Sequence, residues 1–172
     1  MRKNNAPDDI DVITEQWQAR GLETDFTAMQ IAARLLRLSK TLETRIGTLH
    51  ARFNLKPGEF DVLAALKRSD ADALTPSALY QSMLLSSGAM TSRLDRLENK
   101  GLITRTHCTR DRRSVKVSLT TQGKALIEQV APAHFQLLCA LLAGMTDSDK
   151  AQFANLLKGC LQLIEPRTAT TE

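Results

Sequence analysis

The stretch from residue 75 to 120 constrains the fold of this chain more than any other. Thr75-Pro76 reads as a helix N-cap followed by proline at the first helical position, where a missing N–H has no helical partner to lose. The helix that opens there is expected to run to about Met83, and residues 84–87 read as a turn. A second helix follows to Lys100, where Gly101 stops it. Met90, Leu94 and Leu97 mark its buried stripe. Residues 102–106 and 114–120 then take on β character. Val115, Val117 and Leu119 alternate with Lys116 and Ser118, the period of a half-buried strand. The polar loop 107–113 suits a hairpin tip. Two helices joined by a turn and followed directly by a basic hairpin predict a winged helix-turn-helix.

The flanks are helical. Residues 8–20 carry Ile10, Ile13 and Trp17 at helical spacing. Over 27–53, Ile31, Leu35, Leu38, Leu42, Ile46, Leu49 and Phe53 step by three or four, which predicts one long helix. Pro57-Gly58 break it, and 59–67 resumes with Phe60, Leu63, Ala64 and Leu66 facing inward. Two more helices are expected over 121–143 and 147–164, the second capped by Thr146. The fold class is therefore mainly α with a small β-hairpin wing. In this organisation 1–26 is an extension with an extra helix, and 57–120 is the winged lobe. Segments 27–56 and 121–164 supply dimerisation helices, and 165–172 is a frayed tail. The long apolar stripes at both ends exceed what one copy can cover, which points to a homodimer.

Several function classes are excluded by what is missing. No apolar stretch nears the roughly 20 residues of a bilayer span. Arg2 and Lys3 precede no apolar segment, so no secretory leader is expected and the location reads as cytoplasmic. Three scattered cysteines (Cys108, Cys139, Cys160) and three scattered histidines form neither a disulfide framework nor a zinc site. No metal or other cofactor is expected. There is no Gly-rich phosphate loop, no nucleophile elbow and no carboxylate pair flanked by histidine, so no enzyme is read here. Asp8-Asp9 and Asp147/Asp149 sit at helix starts for dipole reasons, and His50 and His134 read as lone surface or interface residues.

The charge distribution points to nucleic acid. Residues 86–116 hold eight basic and three acidic side chains, a net +5 against +4 for the whole chain. Such concentration is an electrostatic footprint for phosphate. On the second helix, Ser86, Ser87, Thr91, Ser92, Asp95 and Arg96 lie opposite the apolar stripe, where a helix in the major groove reaches base edges and phosphates. In the hairpin loop, Arg110, Asp111, Arg112 and Arg113 suit a narrow minor groove, with Asp111 steadying an arginine by a charge-assisted hydrogen bond. The expected partner is double-stranded DNA with a pseudo-palindromic operator.

Two motifs carry a family resemblance. Asp111-Arg112-Arg113-Ser114 with Val117, Leu119-Thr120 and Gly123 is similar to the wing signature of the MarR family of transcriptional regulators. The run from Leu94-Asp95-Arg96-Leu97 to Gly101-Leu102-Ile103 resembles that family's recognition-helix end. The resemblance implies Arg113 as the minor-groove arginine, Asp111 as its partner and Arg112 as a phosphate contact. It extends to the PecS-like, urate-responsive branch through Trp17 on an extra N-terminal helix, Asp61 before the DNA-binding motif and Arg93 within the recognition helix. In that branch the three line an effector pocket, which implies a repressor relieved by a purine or aromatic anion such as urate, xanthine or a phenolic acid. The rivals are control of the same fold by oxidation of Cys108, beside His107, Arg105 and Arg110, and a helical protein-interaction module without DNA binding.

Overall fold

A computed structural model of the chain describes residues 6–83, 90–107 and 115–165. In chain order the elements are α1 (Asp9–Ala19), α2 (Thr27–Ala51), α3 (Glu59–Arg68), α4 (Pro76–Ser82) and α5 (Met90–Asn99). The strands β1 (Ile103–His107) and β2 (Val115–Leu119) follow, then α6 (Thr121–Leu141) and α7 (Asp147–Ile164). They fall into two compact units, Ile31–Gln136 and the pair Met1–Gln30 with Leu137–Glu172.

In the terminal unit, local chemistry sets the helix starts. Asp8 accepts from the N–H groups of Ile10 and Asp11, at 2.9 and 3.1 Å, while its own N–H donates to the Asp11 carboxylate. This reciprocal box satisfies donors that a helix start leaves orphaned. Ile10 and Thr14 are the buried residues of α1, and Thr14 Oγ1 donates to the Ile10 carbonyl while accepting from Gln30 Nε2 at 3.2 Å. Thr146 caps α7 by accepting from the Asp149 N–H. No residue of α7 is buried, and Leu156, Leu161, Leu163 and Ile164 all face solvent.

The central unit holds the main core. Val62 and Leu63 of α3, Leu79 of α4, Leu97 of α5, Ile103 and Val117 of the hairpin, and Ile127 and Val130 of α6 are almost fully enclosed. Each such side chain contributes roughly 1.5–3 kcal/mol relative to exposure. Thr75 accepts from the Ala78 N–H at 3.1 Å, with Pro76 in the first turn, as the sequence predicts. The strands pair antiparallel with Ile103 opposite Leu119 and Arg105 opposite Val117. Leu74, read from sequence as loop, instead exchanges two backbone hydrogen bonds with Val117, at 2.8 and 2.9 Å. The bridge adds a third rung of backbone to a hairpin that would otherwise have two strands, and it ties the loop before α4 to the wing.

The base of the wing is closed by Thr120 and Gly123. Thr120 Oγ1 donates to the Gly101 carbonyl and accepts from the Gly123 N–H, so one hydroxyl joins the end of α5 to the start of α6. A Cβ at position 123 would lie 2.0 Å from the Leu102 carbonyl oxygen, so glycine is required for this approach. α6 then continues through Pro132, whose missing N–H leaves the Glu128 carbonyl without its helical donor.

Candidate nucleic-acid interface and its inner charge cluster

The second helix of the motif, α5, has three faces. Leu94 and Leu97 are buried and Met90 packs against the core. Thr91, Ser92 and Asp95 are exposed. The third face, Arg93 and Arg96 with Lys100 just past the helix end, turns its charges toward α3 and the glycine before it. Of the other sequence-predicted interface residues, Ser86, Ser87, Arg110, Asp111, Arg112 and Arg113 lie outside the described residues, as does Cys108.

Glu59 organises that third face. Its carboxylate has no exposed surface, yet it takes Arg96 Nε at 2.9 Å, Lys100 Nζ at 2.6 Å and the Lys56 N–H at 2.8 Å. Burial alone would raise its pKa, but the bonds from Lys100, Lys56 and Arg96 outweigh it and hold the carboxyl below its usual range. Arg96 also donates to Ser92 Oγ at 2.6 Å, and Lys100 to the Asn54 carbonyl at 2.6 Å. From sequence, Glu59 looks like an ordinary first-turn acid, and nothing in the spacing marks it as enclosed.

One turn of α5 away, the charge of Arg93 acts on the Asp61 carboxyl of α3. The Arg93 guanidinium lies against Gly58, where a Cβ would sit 2.3 Å from Nε and 2.4 Å from Cζ. Gly58 has φ 79°, a left-handed conformation that also favours glycine. Arg93 Nη1 is buried and has no hydrogen-bond partner among the described residues. Burial raises the Asp61 pKa, against the opposing pull of Arg93, of His134 when it is protonated, and of Arg68. Two of the three residues assigned to an effector are thus brought together. The third, Trp17, belongs to the terminal unit and is half exposed on α1.

His50 and His134 correct the sequence reading. They are not lone surface residues: His50 is 4% exposed, and its Nε2 lies 3.2 Å from Nδ1 of His134. Phe60 stacks on both rings, with centroids 4.5 and 4.4 Å away. One shared proton satisfies both nitrogens while each ring stays neutral, so the polar groups tolerate enclosure. Burial, and then the charge of His134, push the His50 pKa down to about 4. Burial lowers His134 as well, against the pull of Asp61.

The wing is fastened to α5 from the opposite side. Arg105 of β1 places Nη2 at 2.5 Å from Asp95 Oδ1 and Nε at 3.4 Å from Glu98 Oε2. Its N–H donates to Glu98 Oε1 at 3.2 Å. Asp95, read from sequence as an interface residue, therefore also serves to orient the hairpin. Among the described residues no group of His, Cys, Asp and Glu is arranged to hold a metal ion, and no helix is long and apolar enough to cross a membrane.

A sequence profile of the MarR family matches residues 53–114, the span from just past α2 to just before β2. The HTH-type transcriptional regulator PecS of Dickeya dadantii (strain 3937) is 31% identical over 150 residues, covering 87% of this chain and 90% of PecS. The chain belongs to the MarR family. Wild-type apo MarR from E. coli superposes with a TM-score of 0.61 at 30% identity, covering 75% of this chain and 96% of that one. A mutant E. coli MarR complexed with operator DNA gives a TM-score of 0.68 at 28% identity, covering 81% and 99%. The named relatives in the MarR family are transcriptional regulators, not enzymes. The winged helix-turn-helix agrees with that membership, and the glycine at 123 is required at the wing base on steric grounds.

Proposed function

We infer that this MarR-family chain is a homodimeric transcriptional repressor, binding a pseudo-palindromic operator and released from it by a small purine or aromatic anion. In this reading α5 enters the major groove with Thr91, Ser92 and Asp95, Ser86 and Ser87 just before it in sequence contribute to the same contact, and Arg110–Arg113 engage the minor groove and phosphates. The operator-bound E. coli relative supports the DNA partner. The exposed apolar residues Phe135 of α6 and Leu156, Leu161, Leu163 and Ile164 of α7 support a second copy as the covering surface.

The observation that carries the effector reading is Arg93. It sits on the helix that would read DNA, yet its guanidinium turns inward, its buried Nη1 has no hydrogen-bond partner among the described residues, and its charge acts on the Asp61 carboxyl. An unsatisfied buried cationic donor is costly, and an anionic ligand would satisfy it. Repulsion between that anion and Asp61 would shift α3, and through Arg93 the ligand would act directly on α5. For release to follow, the ligand must bind the conformation that does not hold DNA more tightly. The family resemblance assigns Trp17 to the same ligand.

The test is a binding assay on duplex from the intergenic region upstream of the chain's own gene, with and without urate, xanthine and phenolic acids. Release by one of these, lost in Arg93→Ala, is the expected result. If none of them alters DNA affinity or Trp17 fluorescence, the effector reading fails. A protein that sediments as a monomer and shows no salt-dependent duplex affinity overturns the DNA-binding reading itself.

A further inference from the structure

Arg96 and Lys100 carry two of the positive charges on the helix expected to meet DNA, and both are committed elsewhere. They converge on one enclosed carboxylate, at 2.9 and 2.6 Å, Arg96 from α5 and Lys100 from the residue that follows it. Neither is deeply buried: their side chains are 30% and 22% exposed, whereas Glu59 is 0%. The cations lie at the rim of the lobe and the carboxylate lies inside it. Without the carboxylate's charge, both long side chains could swing outward on flexible stems. Arg96 is further steered by Ser92 and Lys100 by the Asn54 carbonyl, so the arrangement has a direction and is not a loose surface pair.

Phosphate contacts strengthen binding to every sequence alike, and base contacts discriminate. A reading helix with spare cations beside the backbone would therefore hold random duplex more tightly. We propose that Glu59 is a positioning residue for operator selectivity, drawing Arg96 and Lys100 into the lobe and withholding both charges from DNA phosphate. The inference rests on the DNA-binding reading above. It reassigns Arg96 from a DNA contact to a member of the internal cluster, leaving Thr91, Ser92 and Asp95 as the DNA-facing residues of α5.

Salt dependence reports this directly, because each neutralised phosphate adds about 0.9 to the slope of log affinity against log salt. The full chain is titrated with its upstream intergenic duplex and with a random duplex across a salt series. Glu59→Gln is expected to steepen the random-duplex slope by roughly 1–2 and to lower the preference for the intergenic duplex. Lys100→Gln in the otherwise native chain is expected to leave the slope where it was, a result that does not depend on how well the Glu59 variant folds. If Lys100→Gln lowers the slope by about 1, the lysine already contacts phosphate and the inference is overturned. A folded Glu59→Gln with an unchanged slope overturns it as well. Absence of duplex binding by the native chain would instead remove the DNA-binding reading and this inference together.

Discussion

A methyl group at position 58 would occupy space now held by the Arg93 guanidinium, and the backbone there is left-handed. Gly58→Ala is therefore expected to displace Arg93 as well as to strain the turn by about 1 kcal/mol. Titration of the variant by Trp17 fluorescence should show at least roughly tenfold weaker effector binding, with only a small fall in melting temperature. Arg93→Lys should not restore binding, since an ammonium lacks the planar fork that fits a carboxylate or urate-like edge; full affinity in that variant would count against a guanidinium-specific role. At this scale the sequence was informative only in part. The resemblance identified Asp61 and Arg93, but no spacing rule announces that an arginine on the reading helix faces inward. The pairing of His50 with His134 spans 84 positions, beyond any local pattern. Glu59 is hidden for the opposite reason, because an acid in a first helical turn is so ordinary.

Elements were far more legible, since their signals are local. The three-and-four spacing gave α2, the Thr75-Pro76 cap gave α4, and the Val-Lys-Val-Ser-Leu alternation gave β2. The α2 helix ends at Ala51, two residues short of the expectation, because Asn54 adopts φ 56° and lets the Leu55 N–H turn back to the His50 carbonyl. The Leu74 bridge was missed because strand pairing is a property of two distant segments, not of one. Thr75→Ala should cost about 1 kcal/mol, read as a fall of roughly 2–4 °C in thermal melting. Gly123→Ala should cost more, roughly 1–3 kcal/mol, because the Leu102 carbonyl it would meet is backbone and cannot rotate away. Equal melting temperatures for native chain and Gly123→Ala would mean that the wing base yields more easily than its contacts imply.

For the whole molecule, the enclosed imidazoles make stability depend on pH. An unfolded histidine takes up a proton near pH 6.5, while folded His50 stays neutral down to about 4. Between those values the unfolded chain binds more protons, so stability is full above pH 6.5 and declines as pH falls toward 4. The slope from this group is at most about 1.4 kcal/mol per pH unit. Denaturation midpoints measured from pH 7.5 to 4.5 should drop in the native chain and drop less in His50→Gln; identical pH profiles for the two would remove the histidine pair as the cause. Fold class and element order were readable from sequence at this scale, because periodicity and caps act along the chain. The charge cluster was not, because it is made by tertiary approach. That cluster also bears on how operator preference could be re-engineered. α5 is tethered on one side by Glu59 through Arg96 and Lys100, and on the other by Arg105 through Asp95 and Glu98. Its sequence is consequently not a portable cassette. A transplanted reading helix lacking those partners would strand an enclosed carboxylate and release the wing, so a working graft must carry positions 59 and 105 along with the helix.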